Sequence, residues 1–189
     1  SNLGQLLLEK GEKDEAEPHC KEPVRLAPAF PEALSNLGNV LRAKDNLKDA
    51  KVCYRLALKM RPNVAMIHGN LGQALQQEGN VDEAMKCYNQ AVALDPKSPR
   101  FESYLASALA DKEDWSGAAE HYRKALALKP DFPEALNGLG GVLHEQGDFN
   151  AAVAAFEEAI RKKPDFADAY SNLAGAYSEL GDLDKANHY

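Results

Sequence analysis

Hydrophobic residues recur along the chain three and four positions apart, the spacing that places side chains on one face of an α-helix. In residues 31–64, Leu34, Leu37 and Leu41 follow this spacing. A second set with the same spacing is Ala50, Tyr54, Ala57 and Leu58. The polar residues 44–46 lie between the two sets. The segment is therefore predicted to form two helices joined by a turn.

The same pattern returns every 34 residues. Proline marks the period at Pro28, Pro62, Pro96, Pro130 and Pro164. Two further series are Leu3, Leu37, Leu71, Leu105, Leu139 and Leu173, and Ala16, Ala50, Ala84, Ala118, Ala152 and Ala186. A helical hairpin of this length cannot bury enough apolar surface to fold alone, so neighbouring hairpins are expected to stack and complete a core.

Small residues and aromatic rings keep the same period. The small residues are Gly4, Gly38, Gly72 and Gly140, with Ala106 and Ala174 at the two remaining positions, and the rings are Tyr54, Tyr88, Tyr122 and Phe156. Gly38 is expected where the two helices of a hairpin come closest, because a larger side chain would push their axes apart. The ring of Tyr54 is expected to fill the space between one hairpin and the next.

Glycine and proline also mark the predicted helix ends. Gly79, Gly147 and Gly181 occupy the turn between helices, where a C-cap favours a left-handed residue. The proline near the end of each repeat stops the second helix. The positions at which the next first helix begins include Pro31, Pro99 and Pro133, and proline is accepted at a first helical position.

The pattern resembles the tetratricopeptide repeat (TPR) family, whose 34-residue unit has a characteristic order of leucine, glycine, alanine, aromatic and proline positions. Residues 133–166 match it with Leu136, Leu139, Gly140, Leu143, Ala152, Phe156, Ala159 and Pro164. The resemblance implies an all-α fold, a superhelix of stacked antiparallel helix pairs, and one array over residues 1–189. The expected units are a partial repeat 1–30, full repeats 31–64, 65–98, 99–132 and 133–166, and a partial repeat 167–189.

Two repeats depart from this pattern. Pro23 replaces the expected alanine in the first repeat, and Pro18 lies nearby. An interior proline removes a backbone hydrogen bond, so the second helix of that repeat is predicted to be kinked or frayed. In the repeat 99–132, Glu102 stands where a large apolar residue is usual.

Charge and composition narrow the function classes. A net charge of −7 argues against nucleic acid and anionic membrane surfaces as partners. No apolar run approaches the roughly 20 residues of a membrane span, and no signal peptide is visible. Three cysteines without a C-x-x-C motif favour a reducing, cytoplasmic compartment. The chain begins with Ser1, in the middle of a repeat, so we expect a fragment that lacks the native N-terminus.

Catalytic, metal and cofactor sites are not predicted. His144 and Glu145 resemble the start of a zinc-binding helix, but the second histidine of that motif is missing. Residues 138–141 are glycine-rich, yet the period places them inside a helix and not in a nucleotide-binding loop. His68 occupies the position of Leu34, which favours a packing role within the repeat.

The TPR resemblance implies that the first helix of each pair lines a concave groove. One register there contains Asn2, Asn36, Asn70, Tyr104, Gly138 and Asn172, the next contains Asn39, Gln73, Ser107, Gly141 and Gly175, and a third contains Arg42, Gln76 and His144. Amides both donate and accept, so a row of them can bind the backbone of an extended peptide. The groove candidates are Asn2, Asn36, Asn39, Arg42, Asn70, Gln73, Gln76, Arg100, Tyr104 and Asn172, with Arg42 and Arg100 for acidic groups. The alternative is that these amides only satisfy neighbouring helices or face water.

Two TPR subfamilies offer more specific expectations. In the carboxylate-clamp type, basic residues hold a C-terminal carboxylate, but Glu32 and Tyr104 stand at two of those positions, so a clamp is not expected. The asparagine series around Asn36 and Asn172 resembles the arrays of protein O-linked N-acetylglucosamine transferases, with interruptions at Tyr104 and Gly138.

Three hypotheses follow. The first is a non-catalytic protein-interaction scaffold that binds a peptide or partner protein in the groove. The second is the substrate-recruiting arm of a larger glycosyltransferase-type enzyme, the array itself being inert. The third is structural self-association through exposed repeat ends, because end repeats have apolar faces that a neighbour would cover.

Overall fold

The structure, a computed structural model, describes residues 2–26 and 30–188, except for the side chains of Asn2 and Asn187. These residues form twelve α-helices and contain no strand, which confirms the all-α prediction. Pro28, one of the periodic prolines, lies outside the described residues. The chain divides into two compact units, residues 1–96 and 97–189. That these units form the single array of residues 1–189 stays a prediction.

Each unit contains six helices in three consecutive pairs. Those of unit 1 are α1 (Asn2–Glu9), α2 (Lys13–Leu26), α3 (Pro31–Ala43), α4 (Leu47–Met60), α5 (Ala65–Gln77) and α6 (Val81–Leu94). Those of unit 2 are α7 (Pro99–Asp111), α8 (Trp115–Leu128), α9 (Pro133–Glu145), α10 (Phe149–Lys162), α11 (Ala167–Glu179) and α12 (Leu183–His188). Three-residue turns join the members of each pair, so the odd-numbered helices are first helices and the even-numbered ones are second helices.

The residues at the N-termini explain where several of the helices begin. Proline occupies the start of α3, α7 and α9, where a missing N–H costs no intrahelical hydrogen bond. The side chains of Asp114 and Asp148 accept hydrogen bonds from the backbone N–H groups of Gly117 (3.0 Å) and Ala151 (3.1 Å), which caps α8 and α10. These capping residues therefore help to fix where α8 and α10 begin.

One residue in every turn has a left-handed backbone. These residues are Gly11, Asp45, Gly79, Glu113, Gly147 and Gly181, with φ between 61° and 87°. The residue that follows closes the turn; for example, the N–H of Asp148 donates to the carbonyl oxygen of Leu143 at 3.0 Å. This hydrogen bond satisfies a carbonyl group at the helix end. The left-handed caps predicted at Gly79, Gly147 and Gly181 are confirmed.

The core of three repeats contains a ring packed against a glycine of the same helix pair. A methyl group on Gly38 would lie 2.6 Å from Cε1 of Tyr54, which is closer than nonbonded carbon atoms approach. Tyr54 and its counterparts Tyr88 and Phe156 are at most 1 % exposed. The first repeat has Cys20 at this position, buried against Gly4. The missing side chain on the first helix therefore lets the ring lie between the two helices of a pair.

Tyr122 uses a different glycine. Its own pair has Ala106 at the position of Gly38, and the added methyl group leaves less room for the ring. The ring lies instead against Gly138 in α9, where a methyl group would be 2.5 Å from the tyrosine oxygen. Gly138 is one of the two interruptions in the asparagine series. The interruption has a steric cause, because a side chain at residue 138 would overlap the ring of Tyr122.

The first repeat corrects a prediction. Helix α2 runs without a break from Lys13 to Leu26. It is 14 residues long, as α4 is, so the expected fraying is wrong. Pro18 is exposed and Pro23 is half-buried. The carbonyl groups that lose their donors belong to exposed residues, and water can hydrogen-bond them. A kink in α2 stays a prediction.

Glu102 is buried despite its charge. Only 8 % of the residue is exposed, and its carboxylate lies 2.7 Å from Nδ1 of His121 in α8. A buried carboxylate needs such a partner. The apolar position predicted for a TPR repeat is thus filled by an acid and a histidine. In the preceding repeat, His68 is half-buried and its Nε2 lies 2.7 Å from the carbonyl oxygen of Pro62, a contact with the end of the repeat 31–64. The packing role of His68 within its own repeat stays a prediction.

Replacing Glu113 by glycine is expected to stabilise the chain by about 0.5–1 kcal/mol. A left-handed backbone costs a residue with a side chain roughly 1–2 kcal/mol, and the larger unfolded-state entropy of glycine removes part of that gain. Urea unfolding followed by circular dichroism measures the change. Gly147→Ala is the matched control and should destabilise. A lower unfolding midpoint for Glu113→Gly would contradict the assignment of strain to this turn.

Restoring asparagine at the interrupted position, by Gly138→Asn, is expected to destabilise the chain by about 1–3 kcal/mol, because the side chain would overpack against Tyr122. Adding Ala106→Gly should recover part of the loss, since the ring could then lie against α7 as Tyr54 lies against α3. Thermal unfolding of the single and double variants tests this. Equal melting temperatures for Gly138→Asn and the parent chain would show that the ring does not occupy this space.

Candidate peptide-binding surfaces on the first helices

A small hydrogen-bond network surrounds Asn39 in unit 1. Nδ2 of Asn70 in α5 donates to Oδ1 of Asn39 in α3 at 2.9 Å, and the hydroxyl of Tyr54 donates to the same oxygen at 2.8 Å. In the following pair, the hydroxyl of Tyr88 donates to Oε1 of Gln76 at 2.7 Å. Two predicted groove residues, Asn39 and Gln76, are therefore also the hydrogen-bond partners of buried rings.

Arg42 lies beside this network. A hydrogen bond from Arg42 lowers the pKa of Tyr54, but burial of the ring is the larger effect and raises that pKa to about 12. The Nε atom of Arg42 is buried and has no hydrogen-bond partner among the described residues. A buried donor without an acceptor is costly, so a carboxylate or carbonyl oxygen supplied by a ligand would stabilise it.

The remaining candidates of unit 1 differ in exposure. Asn36 and Gln73 are half-buried, whereas Asn70 is only 8 % exposed. Asn36 lines a pocket of about 160 Å³ that also contains Glu32 and Arg61, which form an ion pair. The side chain of Asn2 lies outside the described residues. We call the set Asn36, Asn39, Arg42, Asn70, Gln73 and Gln76 the amide surface.

The candidates of unit 2 are not brought together into one network. Arg100 at the start of α7 is exposed, and Tyr104 is half-buried with its ring centroid 6.4 Å from that of Phe101. Asn172 in α11 donates to Oδ1 of Asn137 in α9 at 3.0 Å. Asn137 was not predicted, although its one-residue offset from Gly138 places it beside the asparagine register.

A pocket of about 230 Å³ between α9 and α11 was also missed. Its lining consists of Gly141, His144, Glu145, Phe156, Ser171, Asn172 and Gly175, and we call it the glycine pocket. The signal in the sequence is the change to glycine at residues 141 and 175, where earlier repeats have Asn39, Gln73 and Ser107. The missing side chains at these two positions open a cavity.

In the described part of the chain, no group of three or more His, Cys, Asp or Glu side chains could hold a metal ion. Among the same residues, no helix is long and apolar enough to cross a membrane. Cys20, Cys53 and Cys87 carry free thiols, and burial raises the pKa of each. A raised pKa lowers the thiolate fraction and hence the reactivity of a cysteine.

Comparison with known proteins assigns the family. The model for the Cilia and flagella-associated protein 70 C-terminal domain matches residues 1–187. The chain belongs to this family. Its membership agrees with the TPR-type repeats recognised in the sequence. No curated protein matches closely enough to count as a relative.

Solved structures similar to this family member are helical repeat proteins. MamA is 29 % identical with a TM-score of 0.69, covering 81 % of this chain and 90 % of MamA. PilW, a type IV pilus biogenesis factor, is 20 % identical with a TM-score of 0.90, covering 100 % of this chain and 87 % of PilW. YrrB, a TPR protein with an unusual peptide-binding site, is 20 % identical with a TM-score of 0.66, covering 89 % of this chain and 87 % of YrrB. These likenesses support the TPR fold, and the resemblance to glycosyltransferase arrays stays a prediction.

Because Tyr54 and Tyr122 are buried, the folded chain is expected to lose stability at alkaline pH. Burial raises the pKa of Tyr54 and of Tyr122 to about 12, although a hydrogen bond with Ser107 lowers the latter. An unfolded tyrosine ionises near pH 10, so between about pH 10 and 12 only the unfolded state releases these protons. The stabilising effect is complete below about pH 10 and falls by roughly 2–3 kcal/mol per ring as the pH rises to 12.

Absorbance of tyrosinate during an alkaline titration measures this effect, alongside unfolding followed by circular dichroism. Tyr54→Phe and Tyr122→Phe should each remove part of the late-titrating absorbance and reduce the alkaline loss of stability. If all tyrosines of the folded chain ionised together near pH 10, the burial of both hydroxyl groups would be wrong.

Proposed function

We propose that this chain is a non-catalytic interaction scaffold that binds an extended segment of a partner protein through the amide surface of unit 1. The observation that carries the proposal is the buried Nε of Arg42, a donor without a partner among the described residues, beside a row of fixed amides. Arg100, Tyr104 and Asn172 on unit 2 are proposed as further contacts for the same kind of ligand.

The amide surface matches the chemistry of a peptide backbone. Helix α5 carries no Asp, Glu, Lys or Arg, so its polar face is made of neutral side chains. An amide has two N–H groups and an acceptor oxygen, so a side chain fixed through one N–H can still bind a peptide through the others. Because Asn39 and Asn70 hold each other in place, a ligand would meet a surface that needs little ordering.

An acidic group on the ligand would complete the surface. Arg42 supplies the one positive charge of α3, and α5 supplies none. A carboxylate or a carbonyl oxygen at Nε of Arg42 would form a charge-assisted hydrogen bond in a partly buried position. The ligand proposed for unit 1 is therefore an extended peptide with an acidic residue near Arg42. The cytoplasmic location expected from the sequence stays a prediction.

The test uses variants that leave the internal network intact. Asn36→Ala combined with Gln73→Ala removes two half-buried amides, while Asn39 and Asn70 keep their bond. Affinity for a partner captured by the parent chain is expected to fall about 10- to 100-fold, since each lost hydrogen bond contributes about 1 kcal/mol. Isothermal titration with fragments of that partner measures the change.

The matched control is Asn89→Ala, an exposed residue of the second helix α6. It should bind as the parent chain does. Circular dichroism and thermal unfolding confirm that each variant is folded. If the partner binds Asn36→Ala/Gln73→Ala as tightly as the parent chain, the amide surface is not its binding site.

A further inference from the structure

The glycine pocket results from a coordinated change within the repeat. Elsewhere a buried tyrosine hydroxyl meets a polar side chain of a first helix, as Tyr54 meets Asn39 and Tyr122 meets Ser107. In the repeat 133–166, Phe156 replaces the tyrosine and Gly141 replaces its partner. The hydroxyl and the side chain that would fill the space are therefore both missing.

The space above these glycines is open. A methyl group built on Gly141 or on Gly175 meets no heavy atom within 4 Å. The two glycines lie on adjacent first helices, α9 and α11, and the resulting pocket has a volume of about 230 Å³. Its inner end contains the buried ring of Phe156, which is 1 % exposed. The inner part of the pocket is thus suited to an alkyl chain.

The outer part of the pocket carries oxygen atoms. Ser171 and Asn172 are exposed on α11, and Glu145 is exposed at the end of α9. The amide N–H of Asn172 donates to Asn137, and an amide that donates still has a carbonyl oxygen that accepts. His144 lies beside Glu145, with 3.7 Å between Nδ1 and Oε1. The pocket lining contains one carboxylate and no lysine or arginine.

The charge of unit 2 favours a cation at this place. Residues 97–189 contain 10 Lys and Arg against 16 Asp and Glu, a net charge of −6, whereas residues 1–96 have a net charge of −1 from 12 and 13. Helices α7, α9 and α11 together carry six carboxylates and one guanidinium, that of Arg100. A cationic ligand would be attracted to this surface, and an anionic ligand would be repelled.

We propose that the glycine pocket binds the lysine or arginine side chain of a partner peptide. The alkyl stem lies against Gly141, Gly175 and Phe156, and the charged end meets Glu145 and the oxygens of Ser171 and Asn172. Long basic side chains combine these two properties, an apolar stem and a terminal charge. The inference rests on the proposed function, because it assumes that first helices of this chain bind peptides.

The test measures binding to the whole chain by amide nuclear magnetic resonance. The probes are blocked alanine–serine pentapeptides whose central residue is lysine, arginine, norleucine or glutamine. The lysine or the arginine peptide, or both, is expected to shift the backbone amides of Gly141 and Gly175. The norleucine and glutamine peptides should not, because they lack the charge.

Three variants identify the contacts. Glu145→Gln should weaken binding of the basic peptide about fivefold or more, as expected for loss of a charge-assisted hydrogen bond. Gly141→Asn places in the pocket the side chain that α3 carries at Asn39, and it should abolish binding. Glu179→Gln is the matched control, since Glu179 occupies the position of Glu145 in α11 and does not line the pocket. It should change the affinity by less than about twofold.

Two results would overturn the inference. One is an unshifted pair of glycine amides with both basic peptides at their solubility limit, and the other is equal binding of the norleucine and lysine peptides. The proposed function is judged separately by the Asn36→Ala/Gln73→Ala experiment in unit 1. If partner binding depends on Asn36 and Gln73 but the glycine pocket does not bind basic peptides, the pocket proposal is refuted and the proposed function stands.

Discussion

The structure of the repeats that contain Tyr54, Tyr88 and Phe156 depends on how closely a ring of the second helix approaches the backbone of the first. Gly38 shows the constraint most directly, because even a methyl group there would overlap Tyr54. A buried ring supplies a large part of the apolar area available to a 34-residue hairpin, and it does so only if the opposite helix gives up its side chain. The ring also carries a hydroxyl into the interior, which must be hydrogen-bonded. Asn39 meets that requirement for Tyr54, so the packing of the core determines the polar residue on the neighbouring surface.

The repeating part of the fold could be predicted from the sequence, because helix spacing, turn residues and small core residues all recur in phase. Positive φ at Asp45 and Glu113 follows from their alignment with Gly79 and Gly147, although neither residue prefers that conformation. The failures occur where one repeat differs from the others. Helix α2 continues through Pro18 because the affected carbonyl group belongs to an exposed residue, a property that the sequence does not state.

The candidate sites were predicted less well, because the sequence identifies polar residues on a face but not their partners. Asn70 and Asn39 were grouped as groove residues, yet they hydrogen-bond each other across two repeats. Their structural role and a role in binding are compatible, since a fixed amide is a better preorganised contact than a mobile one. The glycine pocket was not predicted at all. Gly141 and Gly175 belong to a register that carries polar side chains in earlier repeats, and the loss of those side chains beside a buried phenylalanine creates space.

The contact between Tyr122 and Gly138 has a consequence for the evolution of the chain. Three repeats place their ring against their own glycine, so a repeat such as 31–64 can be duplicated, lost or exchanged without a steric conflict at this contact. The repeat 99–132 cannot, because its ring occupies space in the repeat that follows. A recombination event that separated the two would join Tyr122 to a side chain such as asparagine. These two repeats are therefore a single unit of inheritance, and Ala106 and Gly138 are expected to change together or not at all.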